Sequence, residues 1–185
     1  MPEDGTLPPP DKRPPRSHVI ARLMRLRAMP LVRRAVDGAI VSAFTFAIIF
    51  GLGETGQETG VLLLMASFGP SCVLVFALPQ SPLAQPRNVI GGHLLSAAAG
   101  LAALSLFGAS PLSMALGVAL SIFVMAITAT LHPPGAANPA IIISGGQGLA
   151  FLVTPVLTGA ILITLTAVFY HRVVSRKAYP VKNRS

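Results

Sequence analysis

His132 is the residue in this chain best equipped to do chemistry, because an imidazole gains and loses a proton near neutral pH and donates to an anion when charged. It stands in Leu131-His-Pro-Pro-Gly-Ala-Ala-Asn-Pro-Ala-Ile-Ile142, between two long apolar stretches. Pro133 and Pro134 cannot continue an ordinary helix, since each ring removes an N–H donor and clashes with the preceding turn. Carbonyls before them and amides after them are left without regular partners. A half-helix starting near Gly135 would turn its N–H groups and the positive end of its dipole toward an anion. Asn138 adds an amide that donates or accepts. A polar, proline-broken segment at membrane depth is tolerated where protein or a water-filled cavity surrounds it, and a site is the expected reason to keep one there. The competing reading places His132 at the membrane interface, with Pro133 merely starting a loop.

A second constellation is Ser81-Pro-Leu-Ala-Gln-Pro-Arg-Asn88, followed by Gly91-Gly92-His93. Arg87 is the only basic side chain between Arg34 and Arg172. It either satisfies a charge bias on one side of a membrane or closes a mouth over an anion with its planar fork of donors. His93 lies about one and a half turns into the next apolar segment, where a polar side chain faces the bundle interior or a cavity. Gly91 and Gly92 permit close helix approach, and Ser96 with Gly100 continues a face of small residues. Gly69, Pro70 and Ser71 form a third candidate, a further break with a hydroxyl. Ala66–Ser71 faintly echoes Ala129–Pro134, the pattern expected of two broken helices that meet near a midplane.

The absences narrow the chemistry. No acidic residue lies deep in an apolar segment, and there is no HExxH, Walker loop, GxSxG or pair of cysteines. Cys72 stands alone, and the four histidines bind a metal only if the fold gathers them, with His18 and His171 expected outside the core. Neither an enzyme, nor a metal site, nor a cofactor is expected.

The elements that position these residues belong to a membrane. Hydrophobic residues make up 52% and charged residues 11%, against roughly 25% charged in soluble domains. Between Gly38 and Tyr170 only Glu54, Glu58 and Arg87 carry formal charge, too few to clothe a water-soluble surface. The net charge of +8 comes from flanks: eight of the fourteen Lys/Arg precede residue 35 and five lie from Arg172 onward. With no reading helix or aromatic platform beside them, they are topology signals rather than a nucleic-acid surface.

Residues 1–16 hold six prolines and are expected to be a disordered arm. Residues 17–34 read as a basic amphipathic segment on an anionic leaflet, or a solvated linker that enforces orientation. A transmembrane domain follows over 35–171, then a basic tail at 172–185. No cleavable signal peptide is expected. Apolar segments at 35–53, 61–79, 88–108, 111–131 and 149–170 each have roughly the 20 residues needed to cross. Both basic flanks belong on the cytoplasmic side, which demands an even number of crossings. Parity is met by six passes, with 133–148 crossing as a short broken element. It is met equally by four passes, with two broken elements that dip in and return. The fold expected is an all-α membrane bundle of four to six passes, with broken or re-entrant elements near 68–71 and 132–139.

FGPSCVLVFALPQSPLAQPRNVIGGHLLSA together with LHPPGAANPAIII resembles the HPP family of integral membrane proteins, over roughly residues 35–172. SPLAQPRN followed by GGH makes the resemblance specific beyond His-Pro-Pro alone. It implies four membrane-spanning helices and a small transporter, with nitrite the leading substrate because some members are implicated in nitrite transport. The residues it brings forward are His132, Pro133, Pro134 and Asn138, with Ser81, Pro82, Gln85, Pro86, Arg87, Asn88, Gly91, Gly92 and His93. One departure is that the usual Ala-Gly-Ala after the prolines is here Gly135-Ala136-Ala137. Some relatives carry soluble CBS domains, and nucleotide sensing by that route is not expected here.

The combined expectation is a multi-pass inner-membrane protein with cytoplasmic termini, in contact with the lipid bilayer and forming a homo-oligomer. It would bind a small inorganic anion through His132, Pro133, Pro134, Gly135, Asn138, Gly69, Ser71, Arg87, Asn88 and His93. The alternatives are a non-transporting membrane scaffold or regulator, and a passive anion channel.

Overall fold

The computed structural model describes residues 31–59 and 65–181; the arm 1–16 and residues 17–30 of the basic segment lie outside them. The chain divides after Ala39 into two units, and of the first the described residues are the opening turns of one helix. Six α-helices are present among the described residues: α1 (Leu31–Thr59), α2 (Phe68–Ala77), α3 (Pro86–Phe107), α4 (Pro111–Ile127), α5 (Asn138–Ser144) and α6 (Thr158–Phe169). Short 3-10 turns at Pro82–Ala84 and Pro133–Ala137 precede α3 and α5. Wider π turns flank α6, and the helical rod over Leu152–Ser175 is kinked near its start at Thr154, whose φ of −132° and ψ of 115° are not helical.

Local chemistry sets these boundaries. Pro86 and Pro111 open α3 and α4 from the first-turn position, where a missing N–H costs nothing. Ser110 and Ser113 close a reciprocal capping box on α4. Gly108, with φ of 67°, ends α3 in a conformation that a side chain would resist.

The apolar windows Val36–Gly56, Pro86–Phe107 and Leu152–Ser175 are long enough to cross a membrane. The seventeen residues of α4 reach the lower end of the crossing range of about 17–25. The second apolar segment behaves differently from its expected span of 61–79. Its helix α2 has ten residues, about 15 Å at roughly 1.5 Å each, only half a hydrocarbon core. The seven residues of α5 are shorter still. These lengths fit the four-pass arrangement with two short broken elements.

Helix α3 is the centre of the bundle, packed against α4, α5, α6 and both 3-10 turns. Phe68, Cys72, Val75, Val89, Ile142 and Ile163 sit in the core beneath it. Phe44 of α1 joins through Phe76 and Tyr170, at ring separations of 5.9 and 4.6 Å. Large apolar side chains such as Phe46, Leu106, Phe123 and Leu165 remain exposed, as a surface solvated by lipid requires.

Candidate functional site

The small face of α3 lets the His-Pro-Pro segment come close. A Cβ added to Gly92 would fall 2.6 Å from the His132 Cβ and 2.9 Å from the Thr130 carbonyl oxygen. One added to Gly100 would fall 2.6 Å from the Pro139 Cα. Between these glycines, Ser96 donates to the Gly135 carbonyl at 2.5 Å. The segment is delivered to this face by the way α4 ends. Ala129 takes a left-handed φ of 53°, and the Thr130 N–H closes back on the Met125 carbonyl at 2.9 Å, the 6→1 bond of a Schellman-type stop. His132 is then extended (φ −140°, ψ 97°), as the residue before a proline prefers.

Five side chains meet where the two broken elements touch. Ser67 and Ser71 come from the start of α2, His93 from α3, His132 from the His-Pro-Pro segment and Asn138 from the start of α5; all are buried. The Ser71 Oγ is the hub. It lies 2.8 Å from His93 Nε2, 2.9 Å from His132 Nε2 and 3.0 Å from the Ser67 carbonyl oxygen. The two imidazole centroids are 5.0 Å apart, and the Phe68 ring packs edge-on against His93 at 5.4 Å.

The partners fix where most of the protons are. Asn138 Nδ2 faces the His93 carbonyl at 3.0 Å, which only accepts, while Asn138 Oδ1 takes the Ser67 hydroxyl at 2.9 Å. The amide is therefore oriented, and its second N–H points to His93 Nδ1 at 3.1 Å. His93 must accept there, so its proton is on Nε2 and is donated to Ser71. His132 Nδ1 faces the Leu83 carbonyl at 2.8 Å and must donate. Both histidines therefore turn Nε2 to Ser71, His93 as a donor and neutral His132 as an acceptor. Buried polar networks of this kind are costly unless every member is satisfied, and these side chains are.

A groove of about 680 Å³ runs beside the cluster, lined by Ser67, Pro70 and Leu74 of one break and Pro133, Pro134 and Ala137 of the other. Ser67 is the cluster's contact with it.

Other expected site residues support the cluster from outside. Arg87 is exposed and donates from Nη2 to the Thr128 carbonyl at 2.9 Å, and Asn88 donates to the Leu131 carbonyl at 3.0 Å. Both hold the end of α4 and the approach to His132; neither has a bond to the five side chains. Gly69 has open space where a Cβ would stand and lies away from the hub. Pro133 is exposed, whereas Pro134 and Gly135 are buried. The expected half-helix near Gly135 is corrected: the Gly135 N–H is bonded to the His132 carbonyl at 2.9 Å, and α5 starts only at Asn138. A 3-10 turn intervenes because Pro134 disfavours the α conformation at Pro133 and Pro139 has no N–H to bond the Gly135 carbonyl, which accepts from the Asn138 N–H and the Ser96 hydroxyl instead.

Sequence reading missed Ser67, the Leu83 carbonyl and the end of the chain. Gln85 ties Pro79 and Ser81 carbonyls through Nε2 at 2.9 and 2.8 Å, and its Oε1 accepts from the Val181 N–H at 2.8 Å. The Tyr179 hydroxyl donates to the Ala84 carbonyl at 2.7 Å. Residues 179–181 are thus fastened to the turn whose Leu83 carbonyl orients His132. His171, expected outside the core, is buried, with Nε2 on the Val75 carbonyl at 2.7 Å.

The model of the HPP transmembrane region matches residues 27–180. A transmembrane protein of Dictyostelium discoideum is 41% identical over 151 residues, covering 76% of this chain and 53% of its own length. A second transmembrane protein of that organism is 35% identical over 132 residues, covering 67% of this chain and 42% of its own. The chain thus spans about half the length of these relatives. No solved structure matches it.

Proposed function

The chain belongs to the HPP transmembrane family, and we propose that within the membrane it carries a small inorganic anion, with nitrite as the first substrate to test. The single observation behind this reading is the buried cluster of Ser67, Ser71, His93, His132 and Asn138 at the junction of two broken elements. Polar and ionisable groups at membrane depth are expensive, and where they persist they mark substrate and ion pathways. Broken elements that meet between full spans are the usual setting for such a site. The substrate class is read from residue type: the hydroxyls, the Asn138 amide and His132 are donors that an anion would have to draw away from their internal partners, and no carboxylate stands among them to repel one. The choice of nitrite rests on family resemblance.

The basic flanks support a cytoplasmic side for both termini, and the membrane proposed is the inner one. A homo-oligomer is proposed as the working unit. No catalytic step is proposed, and no metal or cofactor is invoked.

The test is nitrite uptake by the purified chain in liposomes, alongside His132→Ala and His93→Ala. Saturable uptake lost in both folded variants is expected. Uptake equal to that of protein-free vesicles would remove nitrite carriage and favour a scaffold, a reading already consistent with a cluster whose bonds are all internal. Flux that never saturates would identify a channel.

A further inference from the structure

The hub serine has more partners than its hydroxyl can serve in one protonation state. Ser71 owns a single hydroxyl proton. His93 donates to it, so that contact is settled by Asn138. The other two contacts compete. The Ser67 carbonyl at 3.0 Å only accepts, and neutral His132, whose proton is committed to Leu83, also only accepts at Nε2 across 2.9 Å. With His132 neutral, the Ser71 proton can satisfy one of them, and when it goes to His132 the Ser67 carbonyl keeps only the Ser71 N–H at 3.3 Å. With His132 protonated, its Nε2–H donates to Ser71, the Ser71 proton turns to Ser67, and all three contacts at 2.8, 2.9 and 3.0 Å are hydrogen bonds at once.

We propose that His132 is the binding site for a co-transported proton, with rotation of the Ser71 hydroxyl from His132 to the Ser67 carbonyl accompanying its arrival. This deepens the transport reading and rests on it. The step balances simply: one proton from water adds to His132 Nε2, an O–H rotates, and no bond between heavy atoms changes.

The surroundings explain why that proton would travel with an anion. After Glu58 the chain contains no acidic residue. No carboxylate among the described elements packed on His132 can therefore neutralise an imidazolium. On α3 the facing titratable group is His93. On α2, Cys72 follows Ser71 but lies in the apolar core. Neither the 82–84 turn, nor α4, nor α5 has an ionisable side chain other than hydroxyls. Arg87 is exposed and turned to Thr128, and His171 on the rod of α6 is engaged with Val75. A lone buried charge is strongly disfavoured, so the compensating charge must come from the substrate. Proton and monoanion each make room for the other, the reciprocal coupling that defines symport. Ser67 stands at the groove and Leu83 in a half-buried turn, which gives the cluster an edge on two sides.

The experiment uses the full chain in liposomes with a pH dye in the lumen and the membrane potential clamped. Nitrite is added outside with no imposed pH gradient, and protein-free vesicles set the passive baseline for nitrous acid. Above that baseline, uptake with one proton entering per nitrite is expected. Uptake without lumen acidification would overturn the proton site while leaving the carrier intact; no uptake at all would overturn the carrier and the proton site with it. Ser71→Ala should move the pH midpoint of uptake downward by about one unit, because the bond lost from the charged imidazole outweighs the one lost from the neutral imidazole by roughly tenfold in proton affinity. Ser71→Thr should restore the midpoint. An unshifted Ser71→Ala midpoint would overturn the role of the hydroxyl. If Ser71→Ala fails to fold, proton counting in the wild type and the Ser71→Thr midpoint decide the matter.

Discussion

Gly92→Ala probes the cluster without touching any of its polar groups. The added methyl would stand 2.6 Å from the His132 Cβ and 2.9 Å from the Thr130 oxygen, against 3.4 Å for the onset of ordinary contact. His132 must therefore retreat by about 0.8 Å, and one of the two atoms in the way is backbone. A shift of that size is incompatible with keeping both the 2.9 Å contact to Ser71 and the 2.8 Å contact to Leu83. Overpacking costs about 1–3 kcal/mol and a lost buried bond about 1 kcal/mol more, so a total near ~3 kcal/mol is expected. At roughly 2–4 °C per kcal/mol for a chain of this size, Tm in detergent should fall by about 6–12 °C. Gly69→Ala is the matched control, since nothing lies within 4 Å of its Cβ; its Tm should stay within about 2 °C of wild type. Thermal unfolding followed by far-UV circular dichroism reads both. A Gly92→Ala variant that melts with the wild type would refute the claim that α3 seats His132 by direct contact.

Asn138→Leu leaves the Ser67 hydroxyl and His93 Nδ1 buried without partners, and should cost at least ~2 kcal/mol in the same melts and abolish nitrite uptake. Arg87→Ala removes one exposed bond to Thr128; it should cost under ~1 kcal/mol and leave uptake kinetics close to wild type, whereas loss of uptake would put Arg87 in the pathway. Ala129→Gly relieves a left-handed residue at φ 53° and should change stability by between zero and about +1 kcal/mol, with a lower Tm contradicting the assigned stop of α4. Burial pushes the Tyr179 phenol above its ordinary range, so the folded chain holds a proton that the unfolded chain releases. That contribution is full below about pH 10 and is lost as pH rises further, giving a fall in Tm that Tyr179→Phe should lessen.

Much of this architecture is legible in the residues. Pro86, Gly108 and Pro111 mark helix ends within a residue or two, because proline and glycine act through local backbone geometry alone. The two breaks are visible as Gly69-Pro70-Ser71 and His132-Pro133-Pro134, and their faint echo anticipates that they meet. The small face at Gly92, Ser96 and Gly100 reads as a packing surface, and its partner proves to be the His-Pro-Pro segment. What escaped reading depends on tertiary contact. The end of α4 comes at Ile127 rather than Leu131 because Thr130 is drawn back to Met125, with Ala129 where glycine is usual. Leu83 acts through a carbonyl, which no side-chain pattern reveals. Ser67 resembles any serine before a helix until Asn138 stands opposite. His171 seemed peripheral because apolarity fades near Tyr170, yet the rod runs on to Ser175. Arg87 and Asn88 have the donors an anion site wants, and the fold spends both on carbonyls of the neighbouring helix end.

The most direct test of the cluster as the substrate site is 15N NMR of histidine-labelled full chain in lipid nanodiscs, recorded with and without nitrite. His93→Gln and His132→Gln supply the assignments. The account predicts opposite tautomers at neutral pH, with His93 protonated at Nε2 and His132 at Nδ1. Both resonances should move as nitrite saturates, and stay in place with an equal concentration of sulfate. Identical tautomers, or resonances that nitrite leaves unchanged, would contradict it.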